Sequence, residues 1–227
     1  MNDVLKEILA TRTVRKLSGE TLPLKASIPQ LECEVIQTWI TAHRPHRLLE
    51  IGLAYGVSAL FICDALARWG DGETVEYHII DPFQHSKWLS VGLHHLDQAG
   101  YRGRYTFHEE PSEFCLPRLA AEQTCLDFAL IDGFHTFDHT LVDFFYVNRM
   151  LTVGGIVVFD DIQLPSVRKV VAHVTTYGCY ELLPPPPQFR QAVPARVRRL
   201  RNVPEFRVTA FIKTAPDCRG WDWHQDF

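Results

Sequence analysis

No stretch of the 227-residue sequence approaches the ~18 apolar residues that a membrane-spanning helix needs, which argues against a membrane protein. The opening MNDVLKEILATRTVRK sets acids and bases among its apolar residues. It has no signal-peptide core, so a cytoplasmic location is the default expectation. The six cysteines, at positions 33, 63, 115, 125, 179 and 218, form no C-x-x-C pair and no disulfide-dense module, as suits reduced thiols. Positive charge is not in excess either: 23 Lys and Arg against 27 Asp and Glu leave a net charge of −4. Such a surface offers no general attraction to a phosphate backbone, so neither nucleic acid nor a membrane is expected as a partner. Two phosphate-binding signatures are also missing. There is no G-x-G-x-x-G for a dinucleotide pyrophosphate and no Gly-Lys-Ser/Thr ending of a P-loop.

What remains is a chain of ordinary globular composition, 46% hydrophobic and 22% charged, long enough for one α/β domain with a sizeable core. Its organising stretch is Arg47 to Leu60, RLLEIGLAYGVSAL. The apolar run Leu48, Leu49, Ile51 reads as a short buried strand, and Val57 to Trp69 has helical spacing. Between them Gly52 and Gly56 permit a tight turn in which the backbone can approach a ligand, with Ser58 and the free amides of the new helix facing the same space. Glu50 supplies a carboxylate at the strand's C-terminal edge. An acid before a G-x-x-x-G turn suits a ligand carrying an amino acid rather than phosphates.

E-I-G-L-A-Y-G-V-S resembles the first motif of class I S-adenosylmethionine (SAM) methyltransferases, and its form is closest to the small catechol-type, metal-dependent O-methyltransferases. The resemblance spans about residues 48–161. It implies an α/β, Rossmann-like fold: a seven-stranded, mostly parallel sheet with helices on both faces and a C-terminal antiparallel hairpin. SAM is the implied methyl donor, with Glu50 toward its methionine amine, Gly52, Gly56 and Ser58 in its binding loop, and Asp81 on its ribose. Asp81 ends a second strand, Thr74 to Ile80, where a carboxylate can accept from both hydroxyls of a diol. Ser112 falls where relatives place a small polar residue near the adenine, and it reads equally well as a helix N-cap.

LDFALIDGFH, from Leu126, reads as a strand ending in Asp132-Gly133, and IVVF as a strand ending in Asp160-Asp161. Adjacent parallel strands would bring three carboxylates to one sheet edge, with Asp132 on both the donor and the cation side. Like charges so close repel, and a divalent cation relieves them; all-oxygen ligands favour Mg²⁺, then Mn²⁺ or Ca²⁺. The resemblance implies the same set, because catechol-type enzymes hold Mg²⁺ with an Asp and an Asp-Asn pair at the matching positions. Asp161 in place of Asn is like the macrocin and aminocoumarin-sugar O-methyltransferases. His135 stands where catechol-type relatives carry a lysine that removes the acceptor proton, and an imidazole suits general-base work near neutrality.

Elsewhere helical spacing covers Asn2 to Leu17 and Pro29 to His43, a helical cap over residues 1–45 with a loop between. Lys87 to Gln98 and Pro165 to Thr176 read as helices, and Gly154-Gly155 as the end of a helix beginning near Phe137. A Pro/Arg-rich insertion, 184–205, is expected between the last two strands. The sequence therefore predicts one SAM-dependent methyltransferase domain acting on a small-molecule hydroxyl, and the resemblance allows a homodimer. Two alternatives stand beside it: a metal-independent enzyme using His135 as the base, and a non-catalytic SAM-fold protein that binds partners through the insertion.

Overall fold

A computed structural model describes residues 1–69, 74–189 and 206–226. The basic run of the expected insertion, Arg196 to Arg201, lies outside the described residues. Seven strands belong to one mostly parallel sheet flanked by helices, and the chain divides into two compact units, Met1–Cys115 and Leu116–Phe227.

The first unit opens with α1 (Asp3–Thr11), whose N-terminus is capped by the Asn2 side chain accepting from the Leu5 amide at 2.9 Å. The helix stops earlier than the apolar spacing predicts. Arg12 turns left-handed (φ 56°), and β1 (Thr13–Arg15) then pairs antiparallel with β2 (Thr21–Pro23). The β-branched pair Thr13-Val14 and the left-handed Gly19 between the strands (φ 88°) explain why a hairpin replaces the last helical turns. After α2 (Gln30–His43), β3 (Arg47–Ile51) is parallel to β4 (Glu76–Ile80), which is parallel to β5 (Thr106–His108). Leu48 through Ile51 are all buried, as a strand covered on both faces requires. Nine of the ten residues of α3 (Val57–Leu66) are buried, so this helix runs through the core rather than over it.

The helix predicted from Lys87 begins only at Val91, as α4 (Val91–Gln98). Leu89 and Ser90 both take left-handed φ values, 55° and 57°, which a continuous right-handed helix cannot contain.

In the second unit β6 (Leu126–Ile131) is parallel to β7 (Leu151–Phe159), β7 is antiparallel to β9 (Thr209–Lys213), and β9 to β8 (Tyr180–Leu183). The expected C-terminal antiparallel pair is present. Two helices follow the strand ends, α6 (Phe137–Met150) and α7 (Pro165–Val174), and α5 (Ser112–Ala121), which begins in the first unit and ends in the second, precedes β6. Gly154 and Gly155 do not close α6. They lie inside β7, which starts directly at Leu151, and Gly154 has φ 89°. Phe144 packs its ring against Phe159, Tyr177 and Tyr180 at 5.5–5.7 Å. The aromatic tail docks on the same side through Arg219, whose guanidinium lies 3.3 Å from the Tyr177 ring centre and 4.6 Å from that of Trp223. Among the described residues no helix is long and apolar enough to cross a membrane.

Candidate active site

Register places the strand-end residues. Ile51 pairs with Ile80, so the next residues, Gly52 and Asp81, leave the sheet side by side, and the Gly52 amide donates to the Ile80 carbonyl at 2.8 Å. The loop that follows is left-handed three times in five residues: Gly52 (φ 97°), Ala54 (φ 46°) and Gly56 (φ 79°). For Ala54 this is a strained conformation, which persists only where the surroundings over-determine it. They do so through Asp81 and Gln84. Asp81 Oδ2 accepts from the Leu53 amide at 3.1 Å, the Ala54 amide at 2.8 Å and Gln84 Nε2 at 3.0 Å, while Gln84 Nε2 also donates to the Ala54 carbonyl at 2.8 Å. Asp81 Oδ1 accepts the Phe83 amide at 2.8 Å. The expected ribose ligand is therefore also the residue that shapes the loop.

Glu50 is fully buried and accepts hydrogen bonds from the Ser58 and Tyr77 hydroxyls. Burial pushes its carboxyl up to about 7 against the pull of those two donors. Glu50 and Ser58 are thus brought together beneath the loop. Gly56 needs more than its φ: a Cβ there would lie 3.0 Å from the Gly92 carbonyl oxygen, and one on Gly92 only 2.6 Å from that of Ala54. The loop and the start of α4 touch backbone to backbone. His95 ties the same loop to the hairpin. Its Nε2 accepts the Arg15 amide at 3.3 Å, so its Nδ1 carries the proton donated to the Tyr55 carbonyl at 2.9 Å. Trp88 meets Tyr55 edge-on at 5.1 Å. Ser112 is the first residue of α5, one position after Pro111, whose carbonyl accepts from Phe114 and Cys115.

In the second unit Ile131 pairs with Phe159, so Asp132 and Asp160 follow side by side, with the Asp160 amide donating to the Ile131 carbonyl at 3.1 Å. Asp160 is buried, at 5% exposure, and Asp161 turns left-handed (φ 55°), a conformation that Asp and Asn accept more readily than most residues. His135 joins the two outer acids. Its Nε2 lies 3.5 Å from Asp132 Oδ1 and 3.4 Å from Asp161 Oδ2, and its backbone carbonyl accepts the Ser166 hydroxyl at 2.6 Å from the first turn of α7. Burial holds the imidazole below the ordinary histidine value, the Asp161 carboxylate opposes that, and Arg207 adds to it. His139 is separate from this group, within hydrogen-bonding distance of Thr136 Oγ1.

A family model described as a methyltransferase domain matches residues 49–162, half of the chain. The chain belongs to that family. No curated protein matches it. This methyltransferase is similar in fold to an O-methyltransferase from Bacillus cereus in complex with SAH, with a TM-score of 0.68 at 13% identity, over 94% of this chain and 92% of that one. It is similar also to the O-methyltransferase TomG from Streptomyces achromogenes, in complex with SAM (TM-score 0.65, 13% identity, 95% and 91% covered). A third is the SAH-bound Podospora anserina methyltransferase PaMTH1 (TM-score 0.65, 17% identity, 95% and 89% covered).

Four side chains of the methyltransferase that shape these strand ends went unnoticed in its sequence. Tyr77 and Gln84 support Glu50 and Asp81. Gln163 donates through Nε2 to Asp161 Oδ1, and Arg207 Nη2 lies 3.5 Å from that same oxygen. Only Gln84 had a local signal, three residues after Asp81 in a turn. Arg207 is brought in by a long-range contact, the Ile162 amide donating to its carbonyl at 2.8 Å.

Proposed function

We propose that the protein is a SAM-dependent O-methyltransferase acting on a small-molecule hydroxyl, with His135 as the general base. The observation that carries this reading is the imidazole held between Asp132 and Asp161 at the strand ends of the second unit, 31% exposed and held below the ordinary histidine value by burial. A neutral Nε2 can take the hydroxyl proton, and the flanking carboxylates stabilise the imidazolium that results. In the first unit the Gly52–Gly56 loop and Asp81 would receive the donor. Asp81 Oδ1 has acceptor capacity left beyond the Phe83 amide for a ribose hydroxyl, whereas Glu50, on the methionine side, acts from beneath through Ser58. Attack of the acceptor oxygen on the sulfonium methyl is a displacement between two bound reactants, so positioning supplies much of the acceleration.

Divalent-cation dependence is part of the proposal. The donor chemistry is of the right kind, since Asp132, Asp160 and Asp161 offer carboxylates from adjacent strand ends within one unit and two of them flank the same imidazole. The three do not form a set with one oxygen each within 4.8 Å of the others, so binding an ion would require their side chains to move together. These three residues would hold the ion, which when bound would lower the pKa of an acceptor hydroxyl as a Lewis acid. A second reading has its own support, because His135, Arg207 and Gln163 already compensate Asp161 without a metal.

The test is methyl transfer from SAM to a panel of hydroxyl acceptors before and after exhaustive chelation. Loss of turnover on chelation and in Asp160→Ala, with SAM affinity by calorimetry largely kept, is the expected result. Turnover that survives both removes the ion but leaves His135; failure to bind SAM at all removes the enzyme reading.

A further inference from the structure

We propose that His108, Glu110 and Cys115 form a second metal site, one that takes a thiophilic transition-metal ion of the Zn²⁺ class. One donor atom from each of the three lies within 4.8 Å of the other two, the set of this kind found among the described residues. The site lies within the first unit and does not draw on Asp132, Asp160 or Asp161.

Its construction follows from the chain. His108 is the last residue of β5, Glu110 falls two residues later, and Cys115 lies in the first turn of α5, fully buried. A three-residue connection, 109–111, thus returns the chain so that strand end and helix start face each other. Tetrahedral zinc with bonds of about 2.0–2.3 Å needs its ligand atoms about 3.5 Å apart, so side-chain rotation of about 1 Å closes the set. The donors are one imidazole nitrogen, one carboxylate oxygen and one sulfur. That mixture suits zinc and its neighbours and disfavours Mg²⁺ or Ca²⁺, which want oxygen alone.

A supporting residue is also in place. On the neighbouring strand β4, His78 Nδ1 lies 2.9 Å from His108 Nε2, and the two rings stack with centroids 5.2 Å apart. A metal-bound histidine characteristically donates its other ring N–H to such a partner, which fixes ring and tautomer. His78 is placed to take that part for His108. Cys115 binds as thiolate, its proton passing to solvent, and water completes the fourth position. Because His108 and Cys115 lie on either side of the 109–111 turn and Glu110 within it, occupancy fastens the sheet's β5 strand to α5 and stiffens the turn that leads into Ser112.

The experiment is to strip the purified full-length protein with chelator and titrate it with Co²⁺, then Zn²⁺. Expected is one equivalent of Co²⁺ with a strong thiolate-to-cobalt charge-transfer band, displaced by Zn²⁺, together with a rise in Tm on adding Zn²⁺. Cys115→Ser removes the band, and His78→Gln weakens Zn²⁺ binding by ~10–100-fold. The double variant Asp160→Asn, Asp161→Asn keeps the band, which separates this site from the proposed catalytic ion. Should Cys115→Ser fail to fold, Glu110→Gln at a half-buried position decides the matter: unchanged Zn²⁺ affinity in a folded Glu110→Gln protein overturns the proposal. So does a missing charge-transfer band, or one that survives Cys115→Ser. None of these outcomes bears on methyl transfer, which is assayed separately.

Discussion

Around β3 and β4 the acids are enclosed: Glu50 and Asp81 are 0% and 3% exposed, and their oxygens accept hydroxyls and amides of the surrounding chain. After β6 and β7 the outer acids stay near solvent, Asp132 and Asp161 having side chains 21% and 22% exposed, and His135 stands 3.4–3.5 Å from each. Those separations lie beyond good hydrogen-bond distances. Enclosed carboxylates with short bonds fix a backbone shape. Half-open ones, with a histidine at longer range and, at Asp161, a side-chain amide from Gln163, hold charge that a ligand can still reorganise. The Gly52–Gly56 loop is accordingly a finished frame, while the β6–β7 strand ends keep charge near solvent.

Replacing a residue on the open side should change rate and spare stability. His135→Gln is expected to lower turnover by ~10²–10⁴-fold, the usual contribution of a general base, with the SAM dissociation constant by calorimetry and the melting temperature nearly unchanged. A comparable loss of SAM affinity would show that the imidazole belongs to the frame instead.

On the enclosed side the effects should appear in folding. Glu50 titrates near 7 in the folded chain, against an ordinary value of 4.5. The folded state then keeps a proton that the unfolded state releases between those values, so stability falls as pH rises through the window, by about 3 kcal/mol in all. His95, His135 and His173, held below their ordinary values by burial, push the other way in both proteins. Urea unfolding without SAM, at about pH 5 and about pH 8, should therefore show the native protein losing about that much more stability than Glu50→Gln. Identical profiles in the native protein and Glu50→Gln would mean that Ser58 and Tyr77 fully replace the lost water.

Gly92→Ala tests the backbone contact. Its Cβ would meet the Ala54 carbonyl at 2.6 Å, and overpacking of this kind destabilises by about 1–3 kcal/mol, read from the urea midpoint. The smallest effect expected is a gain. Ala54→Gly relieves the left-handed alanine and should stabilise by about 1 kcal/mol, while loosening the loop enough to raise the SAM dissociation constant.

Much of this was legible in the chain. The strand-turn-helix of Arg47 to Leu60 and the Asp residues ending β4, β6 and β7 follow from local patterning, and parallel register does the rest. What escaped was set by left-handed residues that carry no compositional mark: Arg12 cut the first helix short, and Leu89 and Ser90 delayed α4. Glycine misled in the other direction, since Gly154-Gly155 read as a helix stop and instead sits within β7. The partners of the acids were the least legible. Tyr77 is an inner residue of the strand Thr74 to Ile80 with nothing local to mark it as a partner of Glu50, and Arg207 lies 46 residues beyond the Asp161 it approaches, with nothing local to connect them.

The contact between Gly56 and Gly92 has a mechanical consequence. With no side chain interposed, neither peptide can shift without pushing the other, so the Gly52–Gly56 loop and the helix behind it should open and close as a single piece. Amide exchange at Leu53 to Gly56 and at the first turn of α4 would then slow together when SAM arrives, and a disturbance introduced in the helix would be felt at the loop without any intermediary.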